Sequence, residues 1–385
     1  MKSLLARLSG DKVIWFLVAC LSLFSILSVY SSTGTLAYRY QSGNTEYYLI
    51  KHLVILVMGL GLMFVAHKIK YTYYSRLSQL ALFLAVPLLV VTLAMGTTIN
   101  EANRWLTLPV INLTFQSSDF AKLALIMYIA RILTKKQEQI KDFKSAFLPV
   151  VIPVIIVCGL ILPANLSTAV ILFATSVVLM FIGRISFKYI MAMITMGAVF
   201  MTIFLVVLFN SPETGRLYTW KARIDRFIDK ENADTYQSDQ AKIAIATGGI
   251  TGKMPGNSVQ RNFLPHAYSD FIYAIIIEEY GLIGGFIVLM LYMILLYRGV
   301  MIAHRSPGTF GAFLAVGLTF SLVFQAMINM AVTVDLLPVT GQPLPLVSMG
   351  GSSLWFTSLA VGIILSVSRK VEEVKQQEGG EYVAT

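Results

Sequence analysis

Between Val13 and Tyr30 the chain runs through apolar and small residues without a single charge, and comparable runs recur along most of its length. About 20 predominantly apolar residues carry a helix across a bilayer. A backbone in lipid must satisfy its own N–H and C=O groups, so such runs fold as helices unless they close into a barrel. Ten are expected, at residues 13–31, 48–66, 77–96, 119–134, 146–162, 169–183, 188–209, 271–297, 308–329 and 353–368. The fold class is therefore an all-α polytopic membrane protein with ten transmembrane helices. Composition agrees: 56% of residues are hydrophobic and 13% charged, against roughly a quarter charged in soluble domains.

The first run follows Lys2, Arg7 and Lys12. It is too long for a typical signal-peptide core and lacks a clear small-residue cleavage site, so it reads as a retained span. Short loops on the N-terminal side are basic, with Lys68, Lys70 and Arg76 after the second run and Lys135, Lys136, Lys141 and Lys144 after the fourth. Short loops on the other side are poor in Lys and Arg, which places both termini in the cytoplasm. The net charge of +10 is then mainly topological and gives no nucleic-acid signal. One large outer loop, about 210–269, joins the seventh and eighth spans and carries Arg223, Arg226, Lys242, Lys253 and Arg261 among others. Residues 1–371 form one transmembrane domain, and the polar tail 372–385 is expected to be disordered.

No phosphate-loop or dinucleotide pattern occurs, which disfavours chemistry driven by a cytoplasmic nucleotide. Cys20 and Cys158 lie inside spans and build no disulfide framework, and the four histidines lack metal-ligand spacing.

Acid within this apolar chain concentrates in the stretch LPHAYSDFIYAIIIEEYG, residues 264–281, which holds Asp270, Glu278 and Glu279. On one helix Glu279 points about 180° and Glu278 about 80° away from Asp270, so the three acids have separate roles. Asp270 is either a helix cap or a functional carboxylate at the outer surface. For the glutamates, a structural ion pair or hydrogen bond is the favoured alternative to a polar-cavity role.

Other inward-running helices open similarly: Ser117, Ser118 and Asp119 with Lys122 one turn on; Asn165, Ser167 and Thr168; and Ser352 with Ser353 after the Pro- and Gly-rich segment 338–351. Outward helix N-termini present amides to anions. With Arg104 and Lys122 as nearby cations they suit a diphosphate, although Lys122 could instead pair with Asp119.

The stretch GNSVQRNFLPHAYSDFIYAIIIEEYGLIGG at 256–285 resembles a signature of the SEDS family (shape, elongation, division and sporulation). LLPVTGQPLPLVSMGGSSL at 336–354, NRWL at 103–106 and FQSSDFAKLALIMYIA resemble three more of its motifs. The resemblance covers nearly the whole chain and is closer to the septal branch than to the elongation branch. It implies a glycosyltransferase that polymerises peptidoglycan strands from lipid II at the outer leaflet of the bacterial inner membrane. The family's essential aspartate falls on Asp270, the expected catalytic residue, while the residues read above as an anion-binding outer site, Arg104, Lys122, Asp119, Asn165, Ser269, Glu278, Ser352 and Ser353, are the expected substrate-binding residues. The implied partners are lipid II, the nascent strand, a single-pass class B penicillin-binding transpeptidase and other membrane proteins of the division machinery.

Two departures bear on cofactors. Asn165 and Asp119 stand where many relatives have aspartate and glutamate. No cofactor is required by the sequence. A divalent cation such as Mg²⁺ is the candidate ion for a diphosphate, and Asn165 weakens a metal site there; Asn165→Asp is expected to raise metal dependence. A lipid II flippase and a noncatalytic division scaffold remain as alternatives.

Overall fold

The computed structural model describes residues 9–40, 43–99, 102–108, 113–210, 215–228 and 235–381. Lys2, Arg7, Lys230 and the last four residues of the expected tail fall outside them. The helices are α1 (Lys12–Ser32), α2 (Gly34–Tyr40), α3 (Thr45–Lys68), α4 (Tyr71–Met95), α5 (Ser117–Lys135), α6 (Leu148–Ile161), α7 (Leu166–Ile182), α8 (Phe187–Phe209), α9 (Gly215–Ile228), α10 (Tyr236–Gly248), α11 (Ile272–Arg305), α12 (Thr309–Thr333) and α13 (Gly351–Glu381).

Each expected run coincides with a helix. Eight stretches among the described residues are long and apolar enough to cross a membrane. The two remaining runs fall short for different reasons. The 17-residue α7 is apolar but short. In α5, Asp119, Lys122, Arg131 and Lys135 lower the hydropathy, although most of its residues are buried. Packed against α4 and α12, this helix is shielded by its neighbours; Asp119 pairs with Lys122, and Arg131 donates to Ser75 O and Gln79 Oε1.

The all-α expectation needs one correction. Three antiparallel strands, β1 (Thr97–Ile99), β2 (Ala102–Leu108) and β3 (Leu113–Gln116), pair in the order β1-β2-β3 between α4 and α5. Trp105 on β2 faces Gln116 on β3. Gln116 donates its amide to Ser352 Oγ at 2.9 Å. The sheet thereby fixes Arg104 beside the start of α5 and ties both to α13.

A second correction concerns the eighth run. A straight helix spanning the 34 residues of α11 would be about 51 Å long, well beyond a hydrocarbon core of about 30 Å. It breaks at Gly281, where φ is 70° and ψ is −174°. Backbone from the segment after α10 inserts there: Leu282 donates to Gly249 O at 2.9 Å and Lys253 donates to Glu278 O at 2.9 Å. A Cβ at Gly281 would lie 2.0 Å from Ile250 O, so both the positive φ and the close approach require glycine. Asp270, Glu278 and Glu279 consequently precede the break instead of lying along one continuous span.

The residues just before α1 meet α11 and α13. Gly10 N donates to Glu372 Oε2 at 2.8 Å, Asp11 N donates to Ser368 Oγ at 2.7 Å, and Asp11 pairs with Arg298. The tail expected to be disordered instead continues α13 through Glu381 where it is described. Its Glu, Lys and Gln residues are good helix formers, and Glu373 pairs with Lys370 at 3.3 Å.

Candidate active site

The segment between α8 and α11 is largely structured where it is described. The amphipathic α9 is anchored by Trp220, which is buried and meets Phe204 of α8 edge-on at 5.3 Å between ring centroids. From it Arg223 Nη1 reaches Val339 O at 3.4 Å. α10 packs against the first part of α11. Under these helices lies a cavity of about 590 Å³. Arg104 reaches it from β2, Arg223 and Arg226 from α9, Tyr236 from α10, His266, Ser269 and Asp270 from the turn before α11, and Asp335 with Gly341 from the segment after α12.

Asp270 does not cap a helix. The cap position of α11 is Phe271, which makes no side-chain cap hydrogen bond. The Asp270 backbone instead closes a helical turn, with its amide donating to His266 O at 3.2 Å. Its carboxylate is half-buried at the cavity wall. Gly341, at φ +66°, would place a Cβ 3.4 Å from Asp270 Oδ2, so glycine leaves that flank of the carboxylate open. Burial raises the Asp270 carboxyl above the usual range. His266, a hydrogen bond from Ser269, Arg104 and Arg223 pull it back down. Desolvation acts in the opposite direction on Arg223, whose guanidinium is lowered by burial and supported by Asp270.

The backbone around Asp270 is clamped from below. Asn329 of α12 donates through Nδ2 to Asp270 O and to Gln342 O, both at 2.8 Å. Ser348 Oγ donates to Ser269 O at 2.6 Å, and Met349 N donates to Tyr268 O at 2.9 Å. Thus the Pro- and Gly-rich segment 338–350 supports the acid's turn through its own backbone and side chains. Irregular backbone of this kind is tolerated near a membrane because protein groups satisfy it.

The expected site residues separate into four groups. Arg104, Ser269 and Asp270 share the large cavity. Arg104 also donates through Nε to Ala164 O at 2.8 Å, one residue before Asn165. Asn165 lies behind the cavity. It caps α7 by accepting from Thr168 N, and it accepts from Gln342 Nε2, both at 3.2 Å.

Lys122 is placed elsewhere. It pairs with Asp119 at 3.0 Å and donates to Gln325 Oε1 at 2.8 Å. These residues and Ser353 line a separate cavity of about 30 Å³. That is room for a water, which needs about 10–15 Å³, next to Asp119 Oδ2, a buried oxygen that has no protein partner. Ser352 holds the Gln116 amide.

Glu278 is fully buried and engaged by protein. Lys253 Nζ approaches at 2.7 Å, Val259 N at 3.1 Å and Gln260 N at 3.2 Å, and Ser258 Oγ donates as well. Glu279 accepts from Ser31 Oγ, and Arg261 bonds the same serine hydroxyl at 3.0 Å. Both glutamates fasten residues 253–261 to the bundle, so the structural alternative holds and Glu278 does not face the cavity.

Sequence reasoning missed the individual weight of Arg223 and Arg226, which were two basic residues among many in a long loop. Their spacing of three on an amphipathic helix was the available signal. His266 lay inside the quoted motif without a role.

The chain is similar to known proteins over nearly its whole length. The model of the FtsW/RodA/SpoVE family, described as "Cell cycle protein", matches residues 11–373. A protein of Trichlorobacter lovleyi named "Probable peptidoglycan glycosyltransferase FtsW" is 34% identical over 366 residues, covering 93% of each chain. The "Stage V sporulation protein E" of Bacillus subtilis is 30% identical over 373 residues, covering 94% of this chain and 98% of its own. Among solved structures, the Thermus thermophilus rod shape determining protein RodA matches with a TM-score of 0.67 and 25% identity, covering 94% of this chain and 98% of its own. A chain from "Structural coordination of polymerization and crosslinking by a peptidoglycan synthase complex" matches in fold with a TM-score of 0.75 and 24% identity, covering 94% of this chain and 99% of its own.

Proposed function

Since the chain belongs to the FtsW/RodA/SpoVE family of cell cycle proteins, we propose that it polymerises peptidoglycan glycan strands from lipid II. The observation that carries this reading is one cavity that brings Asp270, a half-buried carboxylate, together with three guanidinium groups, Arg104, Arg223 and Arg226, while its other carboxylate, Asp335, is paired with Lys242. Polymerisation by inversion needs those two functions. The 4-hydroxyl of an acceptor sugar attacks the anomeric carbon of a sugar carried on undecaprenyl diphosphate. Asp270 takes the hydroxyl proton, and the guanidiniums stabilise charge on the departing diphosphate. A carboxyl raised by burial is a stronger base than one in water, and the neighbouring cations favour its ionised form.

The donor carries its own activation, so nucleotide binding is not needed. A divalent metal fits poorly. The Asn165 oxygen already accepts two hydrogen bonds, Asp119 Oδ1 pairs with Lys122, and no group of three His, Cys, Asp or Glu residues suited to a metal occurs among the described residues. Arginine charge serves the diphosphate in this scheme.

All ten helices cross the membrane in this reading. α5 and α7 are sheltered by their neighbours, and both termini face the cytoplasm on the basic-loop side. The cavity then opens at the outer leaflet, as lipid II polymerisation requires. Relatives named FtsW favour division-site synthesis. A single-pass class B penicillin-binding transpeptidase is the proposed membrane partner, consistent with a fold neighbour from a peptidoglycan synthase complex. The deciding experiment incubates purified protein with lipid II and no nucleotide, alone and with that transpeptidase, and resolves the glycan strands by length. Strands from wild type and none from Asp270→Asn support a polymerase; lipid II movement across vesicles without strands would favour a flippase.

A further inference from the structure

We propose that His266 is the proton relay of this site, accepting from Asp270 the proton taken from the acceptor hydroxyl and releasing it to water. The inference rests on the general-base reading of Asp270. His266 and Asp270 occupy opposite ends of one helical turn, with Asp270 N donating to His266 O at 3.2 Å, and both side chains line the same cavity. The histidine is exposed where the carboxylate is half-buried. Tyr268 Oη lies 3.5 Å from His266 Nδ1. His266 adopts φ 57°, a conformation that non-glycine residues rarely take and that is over-represented at functional sites.

The other charged and titratable groups lining the cavity are poorly suited to this task. Arg104, Arg223 and Arg226 carry fixed charge. Tyr236 is a phenol, which offers a hydroxyl and no basic nitrogen. Asp335 pairs with Lys242 at 3.4 Å. A neutral imidazole accepts and returns protons near pH 7.

The step balances. The acceptor oxygen bonds to the anomeric carbon, that carbon's bond to the diphosphate oxygen breaks, and the hydroxyl proton moves to Asp270. It then passes to the imidazole and to water, directly or through water in the cavity, leaving Asp270 a carboxylate for the next sugar. In a polymerase that keeps its product bound, this clearance recurs at every addition.

The test is His266→Asn in the purified full chain, assayed with lipid II. Asparagine tolerates the left-handed conformation and so preserves the turn. The expected result is a fall in kcat of about tenfold, below the 10²–10⁴ typical of direct acid–base groups, with KM for lipid II unchanged. Added imidazole should restore turnover, and His266→Gly should be rescued likewise. Wild-type kcat from His266→Asn between about pH 6 and 8 would overturn the relay. So would a loss that imidazole does not restore. A dead Asp270→Asn beside an unimpaired His266→Asn removes the relay alone, whereas an active Asp270→Asn removes the general-base reading and the relay with it.

Discussion

Asp270 and Glu278 stand eight residues apart on the same approach to a membrane helix, yet the fold uses them in opposite ways. Every described partner of the Glu278 carboxylate is a protein donor: Lys253, Ser258 and the amides of Val259 and Gln260. Asp270 is held by its backbone, through Asn329, while its carboxylate faces a cavity of about 590 Å³. A buried acid saturated by donors acts as a fastener. An acid whose main chain is clamped and whose side chain meets a cavity is arranged for chemistry. The contrast yields predictions of different kind at the two positions.

The largest effect belongs to Asp270→Asn. The amide is isosteric but takes no proton, so strand synthesis from lipid II should fall at least about 10²–10⁴-fold, while thermal unfolding stays near wild type. Strand synthesis at the wild-type rate would erase the distinction drawn between the two acids.

Next comes Arg223→Ala, which removes a cation from the diphosphate side and from the surroundings of Asp270. Turnover should drop by about 10²-fold, the lower end for deleting one stabilising donor. The pH profile supplies a second readout. The active form is the carboxylate, so the rate falls as pH drops through the Asp270 pKa, which burial already raises. Arg223 opposes that rise, so its loss should move the acid limb to higher pH. An acid limb that stays put, measured with saturating lipid II, would place Arg223 outside the electrostatics of the base.

Glu278→Gln should do the converse, lowering stability without changing chemistry per folded molecule. Loss of one charge from a buried pair costs about 3–5 kcal/mol. Lys253 here is 30% exposed, and water can take over part of its solvation, so about 2 kcal/mol is expected. Detergent-solubilised thermal unfolding, with activity normalised to folded protein, checks both halves. A stable protein with reduced kcat would move Glu278 to the catalytic side of the comparison.

Much of this was legible in the sequence, for definite physical reasons. Apolar length fixed the helices because lipid leaves the backbone few alternatives. Asp270 stood out through its motif, and the structural reading of Glu278 and Glu279 followed from the cost of unpaired acid in a span. The break at Gly281 was hidden because it depends on contact with residues 249–253, far away in sequence. Lys122 was ambiguous since one spacing serves a local ion pair and a substrate cation alike, and only Gln325, two hundred residues on, settles its direction. Arg223 joins the site through the docking of α9 under Trp220, a tertiary event that charge counting does not register.

The smallest effect is expected from Asn165→Asp. Sequence alone linked this position to metal dependence, because a carboxylate there would supply the hard oxygen that Mg²⁺ prefers. The structure turns the Asn165 oxygen toward Thr168 N and the Gln342 side chain, behind the cavity wall. A carboxylate can accept both hydrogen bonds. Its charge sits at the N-terminus of α7, where an anion gains about 0.3–1 kcal/mol. Stability should therefore stay within about 1 kcal/mol of wild type, and strand synthesis across a magnesium titration with a chelator control should trace the same curve for both proteins. A magnesium requirement appearing in Asn165→Asp alone would mean that this carboxylate reaches the leaving diphosphate. The division between residues that line the cavity and residues that hold its wall would then have to be redrawn to include α7.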